Sequence, residues 1–329
     1  MQGGYFDDFF DLVRIDSQNP GTDYSEISGY LAGKLKSLGG NVRMHNKNIL
    51  ATWGNPTLAI NAHMDTVAAI NLGKTNPLKP KSSDGKIFGL GTADTKGNIF
   101  ALLKAIEILG KDSDPNLMVI FSTDEEVGKN TGAEECILKG YFQGIHNAIV
   151  LEPTSNLVAS AHPGYCEFNV KSPMNTTGHS SIAKSQQIVK TFGKIAQLEK
   201  TVCKGKLAVL SVGSSAKENG NAECAIRFCI RSGLPPKKVN SIVNGLFDSE
   251  KIKAIQLALP FSNPKPFPKC KKHDVPFWSD AANFQYAGIN TVVYGAGSIS
   301  QAHKPGEFVT EESIRKAVGF ISSAIRCYG

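Results

Sequence analysis

Residues 58–65 read Leu-Ala-Ile-Asn-Ala-His-Met-Asp, a short apolar run that ends in a histidine and an acid. A run of this kind is typical of a buried strand, and ligands bind where the strands of an open α/β sheet end. A histidine at a strand end offers one ring nitrogen to a metal ion, and an acid two residues later can hold the other nitrogen. His63 and Asp65 are therefore candidate site residues, although a His-x-Asp pair alone is a weak signal.

Strand-like and helix-like segments alternate on both sides of this run. The predicted elements of this part of the chain are strands at 58–62, 117–121, 148–151 and 291–294 and helices at 24–38, 98–109 and 311–326. Short apolar strands separated by helices predict an α/β fold with a mostly parallel sheet flanked by helices.

Around Ala161 the pattern changes. The predicted elements there are strands at 165–171, 206–212, 223–231 and 251–259 and helices at 181–198 and 236–247. This β-α-β-β-α-β order predicts an inserted ferredoxin-like α+β domain, and the proline-rich residues 260–268 would lead the chain back. We therefore expect a discontinuous first domain, residues 1–160 and 266–329, and an inserted domain, residues 161–265.

Composition excludes several classes of protein. The 329 residues carry 36 Lys and Arg against 29 Asp and Glu, without the basic cluster that nucleic-acid binding requires. The acidic N-terminal stretch does not resemble a secretory signal, and no segment is apolar over the length of a membrane span. The seven cysteines are scattered and form no Cys-x-x-Cys pair, which favours reduced thiols. These features predict a cytoplasmic protein with neither a nucleic-acid nor a membrane partner.

Four further segments place acids or a histidine after predicted strands or in loops. They are GLGTADTKG (89–97) with Asp94, STDEEVG (122–128) with Glu125 and Glu126, LEPT (151–154) with Glu152, and SISQAHKPGE (298–307) with His303. Asp94 could bridge two cations or merely cap the following helix. The consecutive acids of 122–128 repel one another unless cations or a shared proton relieve them, although a solvated loop or an acidic first helical turn is the alternative. Together the segments suit a pair of divalent ions.

The order and local sequences of these motifs resemble the dinuclear-zinc family of acetylornithine deacetylases, succinyl-diaminopimelate desuccinylases, glutamate-releasing carboxypeptidases and aminoacylases. The resemblance covers nearly the whole chain, including an inserted lid domain that forms a dimer. It implies two zinc ions per subunit, with Co²⁺ as a possible substitute, and a water activated between them. The implied roles are metal ligation by His63, Glu152, Glu126 and His303, bridging by Asp94, orientation of His63 by Asp65, and general-base catalysis by Glu125.

Further residues follow from the same resemblance. Residues 177–181, Thr-Gly-His-Ser-Ser, are similar to a family segment whose histidine reaches the neighbouring active site, which implies a homodimer in which His179 stabilises the oxyanion. Arg231 resembles the arginine of the family's Asp-Ile-Arg motif and could hold a substrate carboxylate. Ser279 and Asp280 resemble the segment that lines the substrate pocket.

The last motif indicates the substrate. Residues 295–307, GAGSISQAHKPGE, resemble the G-P-G-S-I-x-Q-A-H-x-P-D-E of acetylornithine deacetylases. The resemblance implies removal of an acetyl group from N-acetylornithine, a small acylated amino acid, in arginine biosynthesis. The alternatives are a desuccinylase or another acylamino-acid or dipeptide hydrolase and, from a different class, a homologue that binds metal or amino acid without turnover. The family's Asn-Val-Ile-Pro segment is absent and Cys229 replaces the Asp of Asp-Ile-Arg, so the substrate surface departs from the pattern more than the metal site does.

Overall fold

The computed structural model describes residues 4–69, 76–110, 113, 115–128, 131–174, 181–203, 206–216, 222–247, 251–268 and 273–329. The chain divides into two compact units. The first unit comprises Met1–Ser160, Asn263–Asp274 and Ser279–Gly329, and the second unit comprises Ala161–Ser262 and Val275–Trp278. The predicted segment 177–181 lies outside the described residues except for Ser181, and His179 is among those outside.

The return to the first unit differs in detail from the expected boundary after residue 265. Asn263 already belongs to the first unit, because its side-chain amide donates to Asn290 Oδ1 and to the Thr291 carbonyl. Val275–Trp278 belongs instead to the second unit, since the Val275 N–H donates to the Ala161 carbonyl. The change from the second unit to the first at Asn263 therefore falls within the proline-rich residues 260–268.

The bounds of the elements are as follows. Among the described residues, the helices are α1 (Asp7–Arg14), α2 (Ser25–Ser37), α3 (Lys96–Leu109), α4 (Ala133–Leu138), α5 (Ser181–Leu198), α6 (Pro236–Leu246), α7 (Ala281–Tyr286) and α8 (Glu311–Tyr328), and a π-helical turn, Glu199–Cys203, continues α5. The strands are β1 (Gln18–Asn19), β2 (Asn41–His45), β3 (Asn48–Trp53), β4 (Leu58–His63), β5 (Thr66–Val67), β6 (Lys81–Ser83), β7 (Lys86–Phe88), β8 (Leu117–Ser122), β9 (Asn147–Leu151), β10 (Ala161–His162), β11 (Gly164–Met174), β12 (Leu207–Ala216), β13 (Ala222–Ser232), β14 (Lys251–Ala258), β15 (Phe261–Ser262), β16 (Asn290–Tyr294) and β17 (Phe308–Thr310).

The first unit is built on a six-stranded sheet in the order β16-β9-β4-β8-β3-β2. The first four strands in this order are parallel, and β3 and β2 continue the sheet as antiparallel strands. The expected mostly parallel sheet is thereby confirmed, although β2 and β3 were not predicted. Small sheets pair β1 with β5 and β7 with both β6 and β17.

Helix α3 is the central helix of this unit. Almost every residue from Lys96 to Ile106 is buried, and the helix packs against both α1 and α8. Phe9 of α1 stacks on Phe100 of α3 with ring centroids 5.3 Å apart. Because Asp94 lies two residues before this tightly packed helix, the core fixes where the Asp94 loop leaves it.

The second unit contains an antiparallel sheet in the order β12-β13-β11-β14, with α5 and α6 packed on it. Its core joins the two helices to the sheet through residues such as Leu198, Val243, Phe168 and Phe228. This is the ferredoxin-like arrangement that the sequence predicted. Among the described residues, none of the helices combines the length and the apolar character that a membrane span requires.

Candidate metal centre

The candidate residues of the first unit gather at one edge of its sheet. The adjacent parallel strands β9, β4 and β8 end at Leu151, His63 and Ser122. Neighbouring parallel strands end at the same edge, so the loops that follow them are brought together. These loops carry Glu152, Asp65, and Glu125 with Glu126, while the segment after β16 carries His303.

Asp94 lies between two histidines. Its Oδ1 is 3.1 Å from His63 Nε2, and its Oδ2 is 3.3 Å from His303 Nε2. His303 Nε2 is also 3.0 Å from Glu126 Oε1. The N-cap of α3 is Thr95, so the alternative in which Asp94 serves only to cap that helix is wrong. One carboxylate thus presents a different oxygen to each half of the site.

The ring of His63 is fixed by Asp65. Both side chains are almost fully buried. His63 Nδ1 lies 2.9 Å from the Asp65 backbone carbonyl and 3.6 Å from Asp65 Oδ1. The carbonyl is therefore the nearer acceptor, and an Nδ1–H donor leaves Nε2 free to face Asp94.

Two groups of potential ligand atoms result. His63, Asp94 and Glu152 form the first group and Asp94, Glu126 and His303 form the second, with the ligand atoms of each group within 4.8 Å of one another. Imidazole nitrogens and carboxylate oxygens are ligands that zinc accepts. These residues fit a pair of divalent ions that share Asp94.

The charges of the site require compensation. Asp65, Asp94, Glu125, Glu126, Glu152 and Asp280 all belong to this region, and only His63 and His303 oppose them among the residues described above. Burial raises the pKa of Glu125 and of Glu152 well above the usual range, and neighbouring carboxylates add to both shifts. Divalent cations would relieve this repulsion.

The shared carboxylate and its histidine partner show the opposite behaviour. Burial disfavours the charged form of Asp94, yet hydrogen bonds from His303 and His63 lower the pKa of Asp94 below its usual range. The same hydrogen bonds to Asp94 and Glu126 raise the pKa of His303 to about 10. The carboxylates of Asp94 and Glu126 thus favour the charged form of His303.

Glu307 is a functional candidate that was not predicted from the sequence. Its carboxylate accepts backbone N–H groups from Gly91 at 3.0 Å, Ala93 at 2.8 Å and Asp94 at 3.1 Å. The side chain is buried. Its fixed position four residues after His303 in the quoted motif was the one available signal.

Of the predicted substrate residues, Ser279 and Asp280 lie in the first unit and are buried. Ser122 Oγ, at the end of β8, lies 3.3 Å from Asp280 Oδ2. Burial raises the pKa of Asp280 to about 6. A hydrogen bond thus connects Asp280 to the end of β8, the strand that leads into the loop with Glu125 and Glu126.

Arg231 lies in the second unit, at the end of β13. Its guanidinium carbon is 5.3 Å from the centroid of the Tyr165 ring. One guanidinium nitrogen, Nη1, is buried and has no hydrogen-bond partner in the part of the chain that the structure describes. An unsatisfied buried donor of this kind is costly unless a ligand supplies an acceptor.

The fold and the site together define a class: an α/β protein with a shared carboxylate–histidine cluster at the carboxyl edge of its sheet and an inserted α+β domain. Residues 59–326 match the family described as Peptidase family M20/M25/M40. This match spans most of the sequence, and the chain belongs to that family.

Two curated relatives match nearly the full length of the chain, and a third matches about half of it. It is 26% identical to an acetylornithine deacetylase of Myxococcus xanthus, over 96% of this chain and 95% of the relative. It is 25% identical to an N-acetyl-L-citrulline deacetylase of Xanthomonas campestris, over 95% of each chain. A probable succinyl-diaminopimelate desuccinylase of Staphylococcus aureus is 30% identical, over only 52% of this chain and 45% of the relative.

The fold is also that of solved members. A tripeptidase from Staphylococcus aureus superimposes with a TM-score of 0.79 at 18% identity and covers 98% of both chains. The expected family and the expected fold are confirmed. The expected class of activity, which is hydrolysis of amide bonds, is confirmed as well.

Proposed function

We propose that this protein is a metal-dependent deacetylase of Nα-acetylated amino acids, with N-acetylornithine as its substrate and a role in arginine biosynthesis. The observation that carries the proposal is the Asp94 carboxylate, whose two oxygens each face one of two histidines. The near-full-length similarity to two deacetylases of acetylated amino acids supports the choice of acyl group.

We propose zinc as the metal, two ions per chain, with Co²⁺ able to replace it. His63 and Glu152 would hold one ion, Glu126 and His303 would hold the other, and Asp94 would contact both. When bound, the ions would act as Lewis acids toward the amide carbonyl and the attacking water.

Glu125 is the proposed general base. It would take a proton from the attacking water and pass it to the leaving amine. Burial, together with nearby carboxylates, raises the pKa of Glu125, and a carboxylate with a raised pKa is a stronger proton acceptor. Asp65 would hold His63 in the tautomer whose Nε2 is free to ligate.

Four residues are proposed to contact the substrate. Arg231 would receive the α-carboxylate, which would satisfy the buried Nη1, while Ser279 and Asp280 would line the pocket. His179 would donate to the oxyanion.

A homodimer is proposed because the role of His179 requires a second copy. Strand β12 lies at the edge of the second unit's sheet and exposes Val209, Leu210 and Val212. An exposed apolar edge strand is a surface that pairs with another chain. A monomer with full activity, measured by light scattering and assay at one concentration, would overturn this part of the proposal.

A cytoplasmic location is proposed as well. The free cysteines of the described residues support a reducing compartment: Cys136, Cys166, Cys224, Cys229 and Cys327.

Desuccinylation is the second candidate. The half-length similarity to a probable succinyl-diaminopimelate desuccinylase at 30% identity favours it. The two candidates differ in the acyl group and share the proposed metal site and base.

The deciding experiment is hydrolysis by metal-stripped enzyme, with and without Zn²⁺ or Co²⁺. The substrates are N-acetylornithine, N-acetylcitrulline, N-succinyl-diaminopimelate and a simple dipeptide. We expect metal-dependent turnover that favours N-acetylornithine. Preference for the succinylated substrate would replace the first candidate with the second, and absence of turnover with two bound metals would overturn both.

A further inference from the structure

Asp124, the first of the three consecutive acids, has contacts unlike those of its neighbours. Its carboxylate belongs to neither group of potential metal ligands. It accepts hydrogen bonds from Thr131 Oγ1 at 2.6 Å, Asn19 Nδ2 at 3.1 Å and Tyr24 OH at 3.4 Å. Its backbone is left-handed, with φ of 62°, a conformation that Asn and Asp tolerate better than other residues with side chains.

The Asn19 side chain connects this carboxylate to a second one. Asn19 Nδ2 lies 3.1 Å from Asp65 Oδ2 as well as 3.1 Å from Asp124 Oδ1. An amide nitrogen has two hydrogens, so one group can donate to both carboxylates at once. Asn19 is buried, whereas Asp124 is partly exposed.

Asp65 in turn holds the backbone of Glu125 and Glu126, the two residues that follow Asp124. Its carboxylate accepts the Glu126 N–H at 3.1 Å and the Glu125 N–H at 3.4 Å. The contacts therefore form a closed ring that runs from Asp124 through Asn19 and Asp65 to the backbone of Glu125 and Glu126.

One side of Asp124 borders open space. A cavity of about 500 Å³ is lined by residues that include Asn19, Tyr24, Asp124 and Thr131. A side chain that borders a cavity has few neighbours on that side, so hydrogen bonds must determine its position.

We propose that Asn19 and Asp124 are positioning residues that hold the Glu125–Glu126 loop against Asp65. Asn19 reduces the electrostatic repulsion between the two carboxylates by donating a hydrogen bond to each. Asp124 fixes the left-handed turn that immediately precedes Glu125. The effect on turnover rests on the proposed role of Glu125 as general base, whereas the effect on the metal site does not.

The first test is a series of substitutions at Asp124, assayed at saturating Zn²⁺. Asp124→Ala removes all three hydrogen bonds, and we expect kcat to fall about 10- to 100-fold with KM within about twofold. Asp124→Gly keeps the left-handed backbone accessible but loses the same bonds, so we expect a similar loss of kcat. Asp124→Asn keeps an oxygen for Asn19 and Tyr24 and should restore kcat to within about threefold of wild type.

The matched control is Asp84→Ala. Asp84 is exposed and also has a left-handed backbone, with φ of 51°. Its substitution imposes the same backbone strain far along the chain from the loop, and kcat should be unchanged. A wild-type kcat in Asp124→Ala, or an Asp124→Asn variant as impaired as Asp124→Ala, would overturn the proposal.

The second test does not use activity. Asn19→Leu and Asp124→Ala proteins are loaded with Co²⁺, and their visible absorption and Zn²⁺ dissociation constants are compared with wild type. Movement of Glu126 should change the Co²⁺ spectrum and weaken Zn²⁺ binding about 10-fold or more. Unchanged spectra and affinities would overturn the positioning role. Changed spectra in a protein that hydrolyses none of the substrates would support that role while overturning the proposed function.

Discussion

The carboxylate of Glu307 holds the backbone of Asp94. Glu307 Oε1 is 3.1 Å from the Asp94 nitrogen and 2.8 Å from the Ala93 nitrogen, and Oε2 is 3.0 Å from the Gly91 nitrogen. Backbone N–H groups that converge on one buried carboxylate restrict the loop more than a single bond would. Glu307, which lies 213 positions from Asp94 in the sequence, thus fixes the position of the Asp94 backbone and of the carboxylate that it carries.

Glu307→Gln should weaken metal binding. A glutamine has one oxygen and one NH₂ group, so at least one backbone N–H would lose its acceptor and face a donor. We expect the Zn²⁺ dissociation constant to rise about 10- to 100-fold, measured by competition with a chromogenic chelator. Glu312→Gln is the control because Glu312 is exposed and pairs with Lys316. A Zn²⁺ affinity within twofold of wild type in Glu307→Gln would show that the Gly91–Asp94 loop keeps its conformation without the Glu307 carboxylate.

The two halves of the metal centre should respond differently to substitution. His303 belongs to one ligand group, whereas Asp94 belongs to both. His303→Ala should therefore reduce the number of tightly bound ions from two to about one, and Asp94→Ala should weaken both sites. The measurement is metal content after dialysis at a fixed free Zn²⁺ concentration. Equal losses in the two variants would contradict a shared Asp94.

Metal binding should release protons. The carboxylates of Asp94 and Glu126 raise the pKa of His303 to about 10, so this imidazole is protonated at neutral pH when no metal is present. Only the unprotonated nitrogen can ligate, so binding displaces the proton, and affinity should rise as pH rises toward 10. Titration calorimetry at pH 7 in buffers of different ionisation enthalpy should give about one or more protons released per chain. A binding enthalpy independent of the buffer would contradict this.

Much of the architecture could be predicted because its strands are contiguous apolar runs between helices. Strand β2 was missed because Asn41–His45 is short and mostly exposed, although Val42 and Met44 alternate with polar residues. Its neighbour β3 pairs both with it and with β8. Hairpin pairing with β3, which is separated from β2 by only two residues, makes β2 a strand.

The metal-site candidates could be found from strand ends, but their support could not. Glu307 binds backbone groups 213 to 216 positions away, and Asn19 binds carboxylates 46 and 105 positions away. No local spacing connects residues so distant in sequence. The contact between His63 and the Asp65 carbonyl could not be predicted either. A His-x-Asp pair indicates the Asp65 carboxylate as the acceptor for His63 Nδ1, but the Asp65 backbone carbonyl lies nearer.

Glu125 and Glu126 should separate catalysis from metal binding. Glu125→Gln removes the proposed proton acceptor but no proposed ligand, so turnover should fall about 10²- to 10⁴-fold while bound zinc stays near wild type. Glu126→Gln should lower zinc content, since Glu126 lies in a ligand group. The measurements are kcat and metal content on the same preparations. Loss of zinc in Glu125→Gln would mean that the two roles are assigned the wrong way round.

Arg231 should act on the substrate carboxylate alone. Its buried Nη1 lacks a partner among the described residues, and a charge-assisted hydrogen bond contributes about 1.5–3 kcal/mol, or roughly 10- to 150-fold. Arg231→Ala should lower kcat/KM for N-acetylornithine by this factor, mainly through KM. On N-acetyl-1,4-diaminobutane, which lacks the carboxylate, the variant and wild type should be equally poor.

The neighbouring Arg227 provides the control for this prediction. It lies on the same strand and pairs with Glu167, so Arg227→Ala removes a guanidinium that already has a partner. We expect kcat/KM for N-acetylornithine to stay within about twofold of wild type in this variant. If Arg231→Ala impairs both substrates equally, the guanidinium supports the fold of the second unit instead of binding the carboxylate. Because Arg231→Lys keeps the charge but loses the planar fork, an intermediate kcat/KM on N-acetylornithine would indicate that two-point recognition is required.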